Sequence, residues 1–203
     1  MDRKCLFGGA MLAAGLASAS ASAQDFSFTY SYALVTAYDS VDHTPSDLQF
    51  VMGPGFISGG VSNAAGSANV AFNPQSITMD ATSLGANYVA GGLTVFSDFS
   101  PTADTTLDIS WDFSGDVDPN DQWVDSILQI FDPGSNLVFQ ADLSNPVGNA
   151  QLPVSAGVGD YTVVGTTLAF GGNGTSSYSV VIPAPAGGVL LALGGLLAAR
   201  RRR

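Results

Sequence analysis

Apolar and polar residues alternate from 26 to 34, where Phe26, Phe28, Tyr30, Tyr32 and Leu34 are separated by Ser27, Thr29, Ser31 and Ala33. A period of two is that of a strand with one face against a core. The same period returns at Leu107, Ile109, Trp111 and Phe113, interleaved with Asp108, Ser110 and Asp112. Shorter apolar runs predict strands over 48–52, 69–72, 76–80, 88–90, 93–96, 127–131, 137–141, 161–164, 167–170 and 178–182. Turn residues punctuate them: Gly53-Pro54-Gly55, Asp132-Pro133-Gly134-Ser135 and Gly171-Gly172-Asn173-Gly174. Between 24 and 182 there is no convincing helical period, no internal repeat and no linker-like stretch. Many short strands at this spacing predict an all-β domain, a single antiparallel β-sandwich of jelly-roll-like type. Its 159 residues suffice for one core.

The two ends follow other patterns. Arg3 and Lys4 precede an apolar run of 11 residues, 6–16, and a small-residue stretch ending in Ala21-Ser22-Ala23. Basic, apolar and small-residue segments in that order predict a secretory signal over 1–23, cut after Ala23 by signal peptidase, with Ala21 and Ala23 as the small residues it reads. Cys5, the one cysteine, lies before the apolar run, so it predicts neither a disulfide nor a lipid anchor. At the other end Pro183-Ala184-Pro185 precedes an apolar run of 14 residues, 186–199, and then Arg200, Arg201, Arg202 and Arg203. As a helix that run reaches roughly 21 Å, short of the ~30 Å hydrocarbon core, so it spans only with snorkelling arginines and a thinned bilayer.

Pro183-Ala184-Pro185, the Gly/Leu/Ala run and the terminal arginines resemble the PEP-CTERM sorting tail of bacteria with an outer membrane. The resemblance covers 183–203 and implies recognition by an exosortase-type membrane transpeptidase and delivery to the cell surface or extracellular polymer. The usual central Glu is Ala184 here, which leaves open whether the tail is cut or kept as a membrane anchor. Such tails accompany many unrelated bodies and imply an address, not a chemistry. In the second half, the segments 107–112, 127–134, 160–163 and 177–182 look like bacterial pre-peptidase C-terminal domains, small secreted jelly-roll sandwiches. That likeness rests on hydrophobic pattern and turn placement, and implies an accessory role in carbohydrate or protein adhesion.

Charge sharpens this reading. All 17 acidic residues are Asp, and the six basic residues are confined to positions 3, 4 and 200–203. Residues 24–182 thus hold 16 Asp (17 minus Asp2) and one His, with no Lys or Arg. Nucleic-acid binding has no basic footprint to work with. Schiff-base, arginine-clamp and P-loop chemistry lack their residues. Unrelieved repulsion among these carboxylates predicts a fold that gains stability with salt or divalent cations.

Candidate chemistry is sparse. The segment 112–125 brings Asp112, Asp116, Asp118, Asn120, Asp121 and Asp125 close in sequence, a set of oxygen donors suited to Ca²⁺. It is not an EF-hand, since Asp121 stands where Gly is needed and Ile127 where Glu is needed. A solvated acidic turn is the alternative. His43 lies in a polar turn without a Gly-x-Ser-x-Gly elbow or a zinc-ligand partner set, so a secreted hydrolase is a distant third reading. Phe26, Phe28, Tyr30 and Tyr32 have two readings, a sugar-stacking face or core; strand spacing favours core. Trp123, beside the acidic segment, is a second candidate for sugar stacking. Together these features predict a non-enzymatic exported surface or matrix protein, the alternative being a Ca²⁺-assisted module for extracellular polysaccharide.

Overall fold

The computed structural model describes residues 26–39, 45–85, 88–116 and 125–183. They form twelve strands, and among the described residues there is no helix. In chain order these are β1 (Phe26–Asp39), β2 (Pro45–Gly53), β3 (Ser58–Ser62), β4 (Gly66–Asn73), β5 (Ser76–Ser83) and β6 (Tyr88–Pro101). There follow β7 (Thr105–Asp112), β8 (Ile127–Phe131), β9 (Leu137–Ala141), β10 (Val147–Val154), β11 (Tyr161–Phe170) and β12 (Thr175–Val181). Two six-stranded sheets result, ordered β2-β1-β6-β11-β8-β9 and β10-β7-β12-β5-β4-β3, with every pairing antiparallel. The all-β expectation holds.

One core cluster draws on both sheets, with Phe26, Phe28, Phe99, Leu128 and Val163 from the first and Phe72, Ile77, Met79, Ile109 and Tyr178 from the second. Phe28 meets Phe72 across the sandwich edge-on, at a ring separation of 5.7 Å. Tyr178 reaches from β12 to β11, where Gly165 makes room for its ring. A Cβ at Gly165 would stand 2.6 Å from the phenol oxygen. That oxygen has no hydrogen-bond partner, and burial pushes its pKa up. At one seam Gln49 of β2 accepts the Gly60 N–H of β3 through its Oε1, tying the two sheets together.

Several expected strands need correction, each for a stated reason. Residues 88–90 and 93–96 belong to one strand, β6, which carries an extra residue opposite both neighbours. Leu34 pairs with Thr94 but Val35 with Gly92, and Gly165 pairs with Val95 but Thr167 with Gly92. An inserted residue flips the alternation and makes one strand read as two. Residues 161–164 and 167–170 likewise form one strand, β11, whose second half from Thr166 to Phe170 is buried on both faces and so shows no alternation. β3 and β10 escape hydropathy reading altogether. The first is Ser-Gly-Gly-Val-Ser, and the second holds Gly148, Asn149 and Pro153, tolerable because both are edge strands. Trp111 lies over Gly148, its indole N–H donating to the Asn145 carbonyl at 2.8 Å.

Candidate functional site

A one-residue departure from simple alternation creates an exposed aromatic surface. In β1, Phe28 pairs with Phe99 but Tyr30 with Asp98, so two residues of β1 span one of β6. This bulge at Thr29 shifts the inward phase. Phe26 and Phe28 are buried before it; Ser31, Ala33, Val35 and Ala37 are buried after it. The aromatics at 26, 28, 30 and 32 therefore do not share a face. Half are core, and Tyr30 and Tyr32 point away from it.

The bulge is held by named contacts. Asp160 accepts hydrogen bonds from the Thr29 hydroxyl at 2.8 Å and from the Ser100 hydroxyl. Just beyond, the buried Ser31 and Ser97 hydroxyls bond each other at 2.9 Å, and Ser97 also reaches the Tyr30 carbonyl. Small hydroxyl side chains thus fill the inward positions where the backbone leaves its regular ladder.

On the outer face, register places Tyr32 opposite Met52 and Leu34 opposite Phe50. Tyr30, Phe50 and Met52 are 37%, 48% and 54% exposed, while Tyr32 and Leu34 are half-buried. The Tyr32 and Phe50 rings meet edge-on, 4.8 Å apart. On the β6 side Tyr30 is paired with Asp98, whose Oδ1 accepts the Thr162 hydroxyl at 2.6 Å. The result is an exposed aromatic strip bordered by a positioned carboxylate. Phe50 and Met52 are the residues missed in the sequence. Leu48, Phe50 and Met52 alternate as a buried set would, and only pairing with the shifted half of β1 turns 50 and 52 outward.

The opposite outer face has a different chemistry. Adjacent strands align Asp80, Ser177 and Asp112 in one row and Thr78, Ser179, Ser110 and Asn149 in the next. A third row contains Ser76, Val181, Asp108 and Gln151. Shallow hollows of about 280 and 290 Å³ lie along these rows on either side of β7. Apart from Val181, the side chains of these three rows end in hydroxyls, amides or carboxylates.

Aspartates here are stabilised by neutral donors. Asn69 donates to Asp80, Gln151 to Asp108 and the Ala156 N–H to Asp104. Asp132 accepts from the side-chain amide and backbone N–H of Asn136 and from the Gly134 N–H, which hold its carboxyl below the usual range. Asp142 is lowered in the same way by the Ser144 hydroxyl, the Gln140 amide and the Ser144 N–H. Hydrogen bonds that favour the charged form do what cations do elsewhere.

Of the six calcium candidates, the structure describes Asp112, Asp116 and Asp125. Asp112 Oδ1 accepts the N–H and hydroxyl of Ser114. Asp116, buried, accepts the Ser126 N–H at its Oδ2 and so closes the two ends of the segment 117–125. Ser126 Oγ in turn accepts the Leu168 N–H at 2.8 Å. Asp125 is exposed. Among the described residues no group of three or more His, Cys, Asp or Glu converges on a metal position. Asp118, Asn120, Asp121, Trp123 and His43 lie outside the described residues, as do Ala21 and Ala23, and Ala184, Pro185 and Arg200–Arg203 of the tail. Pro183 is described, half-buried, directly after the buried Ile182. No helix among the described residues is long and apolar enough to cross a membrane. Compared with protein-family models, curated proteins and solved structures, the chain matches none of them.

Proposed function

We propose that this chain is a non-enzymatic exported protein of the cell surface or extracellular matrix, whose sandwich holds extracellular polysaccharide through the outer strip of β1 and β2. The observation that carries the reading is the outward turn of Tyr30 and Tyr32 beside Phe50 and Met52. An aromatic face matches the C–H face of a sugar ring, and a nearby carboxylate and hydroxyl, Asp98 and Thr162, meet its hydroxyl groups. Delivery rests on the sequence of the two ends: signal peptidase acting after Ala23, then an exosortase-type enzyme acting on the tail from Pro183. The body, 24–182, is read as jelly-roll-like, in keeping with a chain that passes repeatedly between its two sheets.

Affinity electrophoresis through gels containing the extracellular polysaccharide of the native cells tests the binding. The full chain is expected to be retarded, and a Phe50→Ala variant to migrate freely. Equal migration of both with and without polysaccharide would overturn the reading. Mass spectrometry of the protein from those cells tests the address; a mature form beginning at Gln24 is expected, and an intact Met1 would contradict export. A second reading, Ca²⁺-assisted binding, is favoured by one observation. The Asp116–Ser126 hydrogen bond gathers the ends of the segment that holds Asp118, Asn120 and Asp121. Isothermal titration at millimolar Ca²⁺ is expected to give heat that Asp118→Asn removes; no heat would end it.

A further inference from the structure

We infer that the sugar taken by the β1–β2 strip is a cationic one, an amino-sugar polymer with unblocked amines; this rests on the glycan reading above and names its substrate class. Charge decides between glycan types. From 24 to 182 the chain carries 16 Asp and no Lys or Arg, so a uronate-bearing polymer meets repulsion at every approach and finds no cation to pair with. An ammonium group gains three times over. The field of the whole body attracts it, and the exposed aromatic side chains of Tyr30 and Phe50 are the residue types that make cation–π contact. Asp98 stands beside Tyr30 with one oxygen held by Thr162, so its carboxylate is positioned for a charge-assisted hydrogen bond. A neutral glucan keeps only the stacking. The opposite sheet face also carries carboxylates, Asp80, Asp108 and Asp112, but between hydroxyl and amide rows without an exposed ring to seat a sugar.

Binding of glucosamine hexamers and their fully N-acetylated counterparts to the full chain provides the test, at about pH 5.5, where carboxylates are ionised. N-acetylation removes the charge of each amine and adds an acetyl group, so tighter binding of the acetylated form would also overturn the assignment. The free-amine form is expected to bind at least tenfold tighter. Asp98→Asn is expected to abolish that preference, Asp108→Asn on the far face to preserve it, and Phe50→Ala to remove binding of both forms. Equal affinity for the two hexamers, both lost in Phe50→Ala, would overturn the amino-sugar assignment while leaving the strip a glycan site. A preference that survives both Asp98→Asn and Phe50→Ala would show diffuse attraction to the acidic body and also overturn it. If neither hexamer nor a neutral glucan hexamer binds, the glycan reading falls as well. Urea midpoints that leave each variant folded under the binding conditions separate lost binding from lost folding; Phe50 and Asp108 are exposed and Asp98 is half-buried.

Discussion

The two outward faces of the sandwich arise from the same alternation of strand residues, yet one presents rings and the other hydroxyls. On the β7–β12–β5 face, buried Ile109, Tyr178 and Met79 alternate without interruption with Ser110, Ser177, Ser179, Thr78 and Asp80. On the β1–β2 face, an extra residue of β1 at Thr29 exchanges inside and outside for the residues that follow, from Tyr30 to Val35. A single added residue therefore moves two tyrosines to solvent and places Ser31, Ala33 and Val35 in the core. The lesson is that register, more than composition, decides which apolar side chains of this domain are available to a partner.

The comparison breaks most severely if the bulge is removed. Deleting Thr29 forces Phe26 and Phe28, or else Val35 and Ala37, out of the core. The cost is expected to exceed that of Phe28→Ala, itself about 3–5 kcal/mol as a buried aromatic truncation. Urea midpoints check both. Phe50→Ala, although it removes a side chain of the same kind, is expected to change stability by only about 0.5 kcal/mol because the ring is half-exposed already. Equal losses for Phe28→Ala and Phe50→Ala would erase the distinction between core and strip.

A second set of changes probes the layer between the faces. Gly165→Ala adds a Cβ against the fully enclosed Tyr178 ring and is expected to cost about 1–3 kcal/mol by overpacking. Adding Tyr178→Phe, which removes the unpartnered hydroxyl, is expected to recover part of that loss. Identical midpoints for Gly165→Ala with and without the second change would place the strain elsewhere.

Much of the fold was legible because hydropathy records burial. β8 and β9 appear at 127–131 and 137–141 as expected, and the inward set Leu107, Ile109 and Trp111 is as the spacing predicts. What could not be read has a physical cause. After Tyr32 both phases of β1 are apolar, with Leu34 on one side and Ala33, Val35 and Ala37 on the other, so hydropathy is indifferent to the slip. Glycine-rich β3 and the Pro-bearing edge β10 gain their pairing from neighbours and not from their own side chains. For the candidate site, the aromatics were visible and their division was not. The acidic segment was visible too, but the role of Asp116 in closing it depends on Ser126, ten residues away.

Smaller effects sharpen the electrostatic side of the contrast. Replacing Asp80 and Asp108 by Asn on the hydroxyl face is expected to raise stability by about 0.5–1 kcal/mol at 10 mM NaCl, with the gain vanishing at 1 M. Wild-type midpoints are expected to rise over the same range; a midpoint independent of salt would contradict unrelieved repulsion among the 16 Asp. Asp132 and Asp142 are expected to titrate below the ordinary carboxylate value of 3.8. Because folding depresses these pKa values, their contribution is present above 3.8 and disappears as pH falls through the folded values. Carboxyl NMR shifts followed with pH check the sign, and Asn136→Ala is expected to move Asp132 back upward.

Nitration of tyrosines in the native protein, located by mass spectrometry, tests the outward strip most directly. Of the four tyrosines whose side chains are described, Tyr30 is expected to react fastest, Tyr32 more slowly, and Tyr161 and Tyr178, 8% and 2% exposed, to stay unmodified until the protein unfolds. Protection of Tyr30 equal to that of Tyr178 would mean that β1 keeps one phase throughout, that the bulge at Thr29 does not form, and that the domain has no aromatic face to offer.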